Sequence, residues 1–168
     1  GEYNFNFDNY NRVIEFTYFK ILVNSAKIAF LSALIAIVIG YPTAYFIHLS
    51  PKKYQLILLF LVMLPFWSNY LIRTYAWMVL LNNQGIINNT LLWIGLIEEP
   101  VKILYTQTAV IIGLVYNYLP FVVLSIFSSI SKMDHNLIEA SKDLGGNSVN
   151  TFFKITLPLT LPGVAAGF

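Results

Sequence analysis

Residues 26–49 read AKIAFLSALIAIVIGYPTAYFIHL, with one charge, Lys27, near the start. As a helix these about 24 residues extend roughly 36 Å, enough to cross a hydrocarbon core of about 30 Å. A segment in hydrocarbon must satisfy its own backbone hydrogen bonds, and a helix does so. Such a run commits the chain to a membrane. The composition agrees, because only 11% of residues are charged, where a soluble domain carries about 25%. Gly40 and Pro42 are expected to kink this span, a break tolerated where neighbouring helices satisfy the freed backbone groups.

Further apolar runs extend the pattern. After a tight polar turn, SPKK at 50–53, a second span is expected over about 54–81, with Pro65 inside and Arg73 near its far end. A third is expected over about 108–130, containing Asn117 and Pro120, and another starts at about 158. Between the second and third, LLWIGLI is too short to span and reads as an interfacial helix or shallow re-entrant turn. Residues 1–20 are polar and aromatic and suggest an interfacial segment with a short amphipathic helix. The chain opens on Gly1 without a signal peptide, and its last residues start an apolar segment that stops short. The expectation is one all-α, polytopic transmembrane domain over 1–168, truncated at both ends. No internal repeat is evident.

Lysine and arginine placement leaves the orientation open. Lys52, Lys53, Lys132, Lys142 and Lys154 fall on one side. Arg12, Lys20, Lys27 and Lys102 fall on the other, with Arg73 near them.

Residues 139–158, EASKDLGGNSVNTFFKITLP, have soluble character between two spans. Asp134 is a fair N-cap for a helix ahead of them. Leu137, Ala140 and Leu144 form an apolar stripe, with Glu139 and Asp143 on a neighbouring face. Gly145 or Gly146 can end that helix at positive φ. Ser148 then suits the N-cap of a second helix, which Pro158 is expected to end or kink. Composition alone also fits an ordinary solvated loop. The leucine stripe argues for a partner instead, since a helix-in-groove contact would bury it.

This stretch resembles the EAA loop of importer-type ABC-transporter permease subunits. Glu139, Ala140 and Ser141 are followed by Gly145 and then by Ile155, Leu157 and Pro158 at that loop's spacing, with Ser141 departing from the usual alanine. LPFWSNYLIRTYAW and TAVIIGLVYNYLPF further resemble the permeases of spermidine/putrescine importers, and the likeness covers nearly the whole chain from about Phe5. The resemblance implies an ABC importer permease bundle of about six spans, of which this chain holds the second to fourth and the start of the fifth. It implies a multi-pass protein of the bacterial cytoplasmic (inner) membrane, with the 50–53 turn and the loop at about 131–157 cytoplasmic. The implied partners are a cytoplasmic ABC ATPase dimer, a second permease subunit, an extracytoplasmic substrate-binding protein and the lipid bilayer. In the implied coupling helix, Glu139 pairs with a basic group on the ATPase, Ala140 and Ser141 allow close approach, and Gly145 makes the turn.

Arg73 has two readings. Twenty residues from Lys53 rise roughly 30 Å, which places Arg73 at the outer interface, snorkelling to headgroups beside Tyr75 and Trp77. The other reading is a gate or pathway residue. The spans contain no aspartate or glutamate, so a polycation would need aromatic faces. Trp67, Tyr70, Tyr75, Tyr116 and Tyr118, with Asn69 and Asn117 as polar partners, are candidates for a translocation path, or they pack and face lipid. The missing acids suggest that cargo choice rests mainly with the binding protein. An inorganic anion or iron as cargo, and a mere membrane anchor, are the alternatives.

No catalytic constellation or phosphate-binding glycine loop appears, so no cofactor is expected on this chain; ATP and Mg²⁺ would sit on the partner ATPase. His48 and His135 lack ligand-spaced neighbours, so no metal site is expected. A net charge of +2 gives no reason to expect nucleic acid. NNT at 88–90 matches a glycosylation acceptor in form.

Overall fold

The computed structural model describes residues 16–143, 145 and 147–168, so most of the N-terminal interfacial segment lies outside the described residues. Those described are helical and connected by short turns, with no strand among them.

Helix α1 spans Phe16–Leu49 and is long and apolar enough to cross a membrane from Tyr18 onward. It starts about ten residues before the apolar run, because nothing between Phe16 and Ala26 breaks a helix. Pro42 lies inside it without ending it. The Thr43 hydroxyl donates to the Ile39 carbonyl at 2.8 Å, next to the Val38 carbonyl that proline leaves without its usual donor.

The second apolar run is not one straight span. Helix α2, Lys52–Met63, passes into a 3₁₀ turn, Leu64–Trp67, and helix α3 covers Tyr70–Leu81. The arms Lys52–Trp67 and Tyr70–Trp93 meet at 88° and pass the test for a span only as a bent pair. Pro65 explains half of this break, since it sits at the first turn of the 3₁₀ segment, where its missing N–H costs nothing. Asn69 explains the rest. It is extended, and its side chain accepts a 2.8 Å hydrogen bond from the Leu71 N–H, capping α3 as a new helix.

Helix α4, Ile86–Trp93, takes in only the first three residues of LLWIGLI, and the chain turns at Gly95, which has φ +72. Asn88 is fully buried. Its Nδ2 donates to the carbonyls of Asn82 and Val101, and its Oδ1 accepts from the Val101 N–H. A side chain so enclosed cannot be glycosylated, so the NNT match is only formal.

Helix α5, Gln107–Ser131, is the other helix among the described residues that is long and apolar enough to cross a membrane. It packs along α1 and forms the core. Ala36, Tyr41, Ala44 and Ile47 meet Val115, Val122, Val123, Ile126 and Ile130. Ala36, Gly40 and Ala44 recur every four residues, so one face of α1 is small and the backbones approach closely. A β-carbon on Gly40 would lie 2.9 Å from Val122 Cγ1.

Helices α6, His135–Asp143, and α7, Ser148–Thr151, follow. A π-helical turn, Phe152–Thr156, leads into α8, Leu157–Gly167, which packs on α5. At Gly163 a β-carbon would stand 2.3 Å from Ser129 Cβ and 2.9 Å from the Ser125 carbonyl oxygen. Pro158 therefore neither ends nor separates the helix. The Leu157 N–H reaches back five residues to the Phe152 carbonyl. This wider turn places Pro158 in the first turn of α8, where its ring is tolerated.

Candidate functional site

Two places hold the residues singled out by the sequence. The first is the helix–elbow–helix between α5 and α8. Asp134 Oδ1 accepts from the Asn136 N–H at 3.0 Å and caps α6. Gly145 has φ +79, and a β-carbon there would meet nothing within 4 Å. The requirement for glycine is thus one of backbone conformation rather than space. The cap of α7 is Asn147, whose Oδ1 accepts from the Asn150 N–H at 2.7 Å; Ser148, the expected cap, is instead the first helical residue. Both are capping types, and the chain needs only one of them.

Across the elbow, the Ser141 and Thr151 hydroxyls bond at 2.8 Å, and Thr151 is buried. Ser141, the departure from alanine, therefore ties α6 to α7. Glu139, Ala140, Asp143 and Leu137 are exposed, as are Val149 and Phe153 beyond the elbow. Leu144 and Gly146 lie outside the described residues. Ile155 is half-buried, Leu157 packs against the core, and Pro158 is exposed. The loop thus presents charge and apolar surface together, on a frame fixed by two caps and one hydroxyl pair.

That frame is joined to the bundle. Phe152 stands edge-on to Tyr41 and Tyr45, with centroids at 5.5 and 5.7 Å. The Thr160 hydroxyl gives its one hydrogen within its own helix, to the Thr156 carbonyl at 2.8 Å. The Tyr41 hydroxyl, 2.8 Å from Thr160 Oγ1, is then the donor in that buried pair. These partners are 119 residues apart and carry no local signal that the sequence could show.

The second place is a cavity of about 360 Å³ beside the broken span, between α3, α5 and the 104–106 turn. Tyr70, Arg73, Trp77 and Asn117 line it. The Arg73 guanidinium carbon lies over the rings of Phe66, Tyr70 and Tyr116, at 5.8, 5.8 and 5.9 Å from their centroids. Its Nη1 donates to the Pro65 carbonyl at 3.2 Å, while its Nε is buried without a partner. Trp77 stands edge-on to Tyr116 at 5.2 Å. Asn117 Nδ2 donates to the Gly113 carbonyl at 2.8 Å, and its Oδ1 is buried and unpartnered.

Arg73 is therefore not where counting along a straight span puts it. Tyr116 is nine residues from Gln107, about 13 Å down α5. Beyond the 88° bend the Arg73 guanidinium lies near Tyr116, among aromatic rings. Of the other path candidates, Trp67 turns to Phe60, at 5.2 Å between centroids, Tyr75 is exposed, and Asn69 serves as a helix cap. Tyr118 lines a different groove with Ala29, Ala33 and Phe168.

Residues 30–168 match the family model described as "Binding-protein-dependent transport system inner membrane component". The spermidine/putrescine transport system permease protein PotB of Escherichia coli (strain K12) is 46% identical over 163 residues, covering 97% of this chain and 59% of that protein. The protein of the same name from Haemophilus influenzae (strain ATCC 51907 / DSM 11121 / KW20 / Rd) is 44% identical over 160 residues, covering 95% and 56%. The inner membrane ABC transporter permease protein YdcU of Escherichia coli (strain K12) is 27% identical, covering 89% and 51%. The chain thus spans less than two thirds of the length of the curated relatives it matches.

Proposed function

This chain belongs to the family of binding-protein-dependent transport system inner membrane components, and we propose that it is the pore-forming permease part of an ATP-driven polyamine importer. It is a transport protein of the inner membrane, all-helical in its described residues. The cargo reading rests on the spermidine/putrescine permeases to which it is similar.

The observation that carries the coupling role is the capped helix–elbow–helix, which leaves Leu137, Ala140 and Glu139 exposed between α5 and α8. A cytoplasmic ATPase dimer docks over this surface and binds ATP and Mg²⁺; this chain binds neither. The second permease subunit completes the pore, and an external binding protein delivers the cargo. The elbow turns as a body, because the Ser141–Thr151 pair ties its two arms. The movement reaches α1 through Phe152 against Tyr41 and Tyr45, and through the Tyr41–Thr160 bond. Coupling of this kind needs an element with two arrangements of different energy. The π turn at Phe152–Thr156 supplies a local place for the change.

One observation favours a second reading. Arg73 places a cation in the cavity of the broken span, and the described spans contain no acid to neutralise it. The same architecture could therefore carry an inorganic anion.

The test uses cells that carry the full-length protein with its partners. Deleting this subunit should abolish ATP-dependent uptake of labelled spermidine and putrescine. Uptake of polyamine, phosphate and iron alike that persists after deletion leaves only a membrane-anchor role. Loss of phosphate or iron uptake with polyamine uptake intact selects the other cargo.

A further inference from the structure

The Arg73 site has a chemistry that coupling does not explain. The guanidinium carries five N–H donors. Nη1 meets one carbonyl oxygen, and the buried Nε meets none. No aspartate or glutamate occurs anywhere in α1, α2, α3 or α5. The charge is held instead by three aromatic faces, Phe66, Tyr70 and Tyr116, each within about 6 Å. Three rings converging on one point is the arrangement that recognises cationic nitrogen in ligands. Here the cation is the protein's own. Beside it, in the same cavity, Asn117 turns its amide nitrogen to Gly113, which leaves Oδ1 as a buried acceptor without a donor. Ring faces and a free carbonyl oxygen suit an alkylammonium and repel an anion.

We infer that Phe66, Tyr70 and Tyr116 form a cation cage on the cargo path, that Arg73 occupies it as a tethered plug, and that a cargo ammonium takes its place. This inference rests on the polyamine reading. Of the three rings Tyr70 lines this cavity with Asn117, while Phe66 and Tyr116 lie against Arg73 outside its lining; an ammonium that displaces Arg73 donates to Asn117 Oδ1 and takes over the ring faces that Arg73 vacates. While Arg73 stays, its charge repels the cargo, so the site is closed to polyamine in the state seen here. The cavity, at about 360 Å³, lies within the range of small-molecule sites. A bilayer makes the exchange costly to leave half done, since neither cation has a carboxylate to fall back on. The plug and the cargo are thus mutually exclusive.

The test measures equilibrium binding of labelled spermidine to the assembled full-length complex in nanodiscs, without ATP and without the binding protein. Arg73→Gln empties the cage and should bind spermidine about tenfold more tightly than the unaltered complex, the worth of roughly one buried cation–π contact. Arg73→Lys keeps a plug and should stay within about threefold of it. Adding Tyr70→Leu and Tyr116→Leu to Arg73→Gln should remove the gain. Should Arg73→Gln fail to assemble, Arg73→Met, which also removes the charge, decides: spermidine must bind about tenfold more tightly than to the unaltered complex, and unchanged binding overturns the plug. An Arg73→Gln complex that binds spermidine no better than the unaltered one overturns the plug. So does phosphate binding by the unaltered complex that Arg73→Gln abolishes, which marks an anion site. The premise is read separately. If the unaltered complex with its binding protein takes up no polyamine, the cargo reading fails; if it does and Arg73→Gln binds no tighter, only the plug fails.

Discussion

Replacing Gly145 separates backbone conformation from bulk at the elbow. Its φ of +79 lies in the left-handed region, and the space around a β-carbon there is open to 4 Å. An alanine therefore meets no clash and suffers only the left-handed penalty, about 1–2 kcal/mol. That shifts the equilibrium between the formed elbow and its alternatives by about 5- to 30-fold. Asparagine tolerates this region better and should cost less. Valine, β-branched, should cost more than alanine. Proline cannot comply, because its ring holds φ near −65°, about 140° away. Bulk predicts a different order, with asparagine worse than alanine. The assay is ATP hydrolysis stimulated by loaded binding protein, measured beside spermidine uptake, in the reconstituted full-length complex. Coupled activity should fall in the order glycine, asparagine, alanine, valine, proline, with the purified complex still assembled. Full coupling in Gly145→Pro, or asparagine falling below alanine, refutes the argument from φ.

Other substitutions test neighbouring parts of the account. Gly163→Ala forces a β-carbon to within 2.3 Å of Ser129 and 2.9 Å of a carbonyl oxygen, so it should destabilise the full-length protein by about 1–3 kcal/mol, seen as a lower thermal midpoint. Gly40→Ala is crowded by the Val122 side chain, at 2.9 Å, with Val123 Cγ2 in ordinary contact at 3.6 Å; its midpoint should drop less than that of Gly163→Ala, and the reverse order contradicts the packing described. Ser141→Ala leaves the buried Thr151 hydroxyl without its 2.8 Å partner and should cost about 1 kcal/mol, with a coupling energy to Thr151→Val in a double-mutant cycle; strict additivity is the contrary result. Glu139→Lys changes an exposed side chain, so the fold should keep its midpoint while uptake uncouples from ATP hydrolysis; normal substrate-stimulated hydrolysis and uptake refute its role.

How much of this could be read from the sequence differs by element. The runs that became α1 and α5 were legible, because apolar length alone identifies a membrane-crossing helix. The broken span was half legible. Pro65 stood inside a run read as one span, and the capping bond from the Leu71 N–H to Asn69, which sets the new helix direction, left no mark in the apolar pattern. Counting rise along an unbroken helix does not carry past that bend, so it fixes no position for Arg73 or any residue beyond it. Around the elbow, the motif spacing carried the helix–turn–helix. It pointed to Ser148 as cap, whereas the neighbouring Asn147, an equally suitable type, makes the capping bond. Nor could it foresee the π turn that lets the chain pass through Pro158. The Ser141–Thr151 and Tyr41–Thr160 bonds join residues 10 and 119 apart, and depend on packing that no local pattern encodes.

The central claim, that this chain belongs to an ATP-driven polyamine importer, is tested most directly by reconstitution. The full-length protein, its partner permease, the ATPase and the loaded binding protein are placed in proteoliposomes, and accumulation of labelled spermidine is followed. The account predicts accumulation that requires ATP and is lost in Gly145→Pro. Spermidine excluded from the lumen while ATP is hydrolysed, or accumulation indifferent to the elbow, would contradict it.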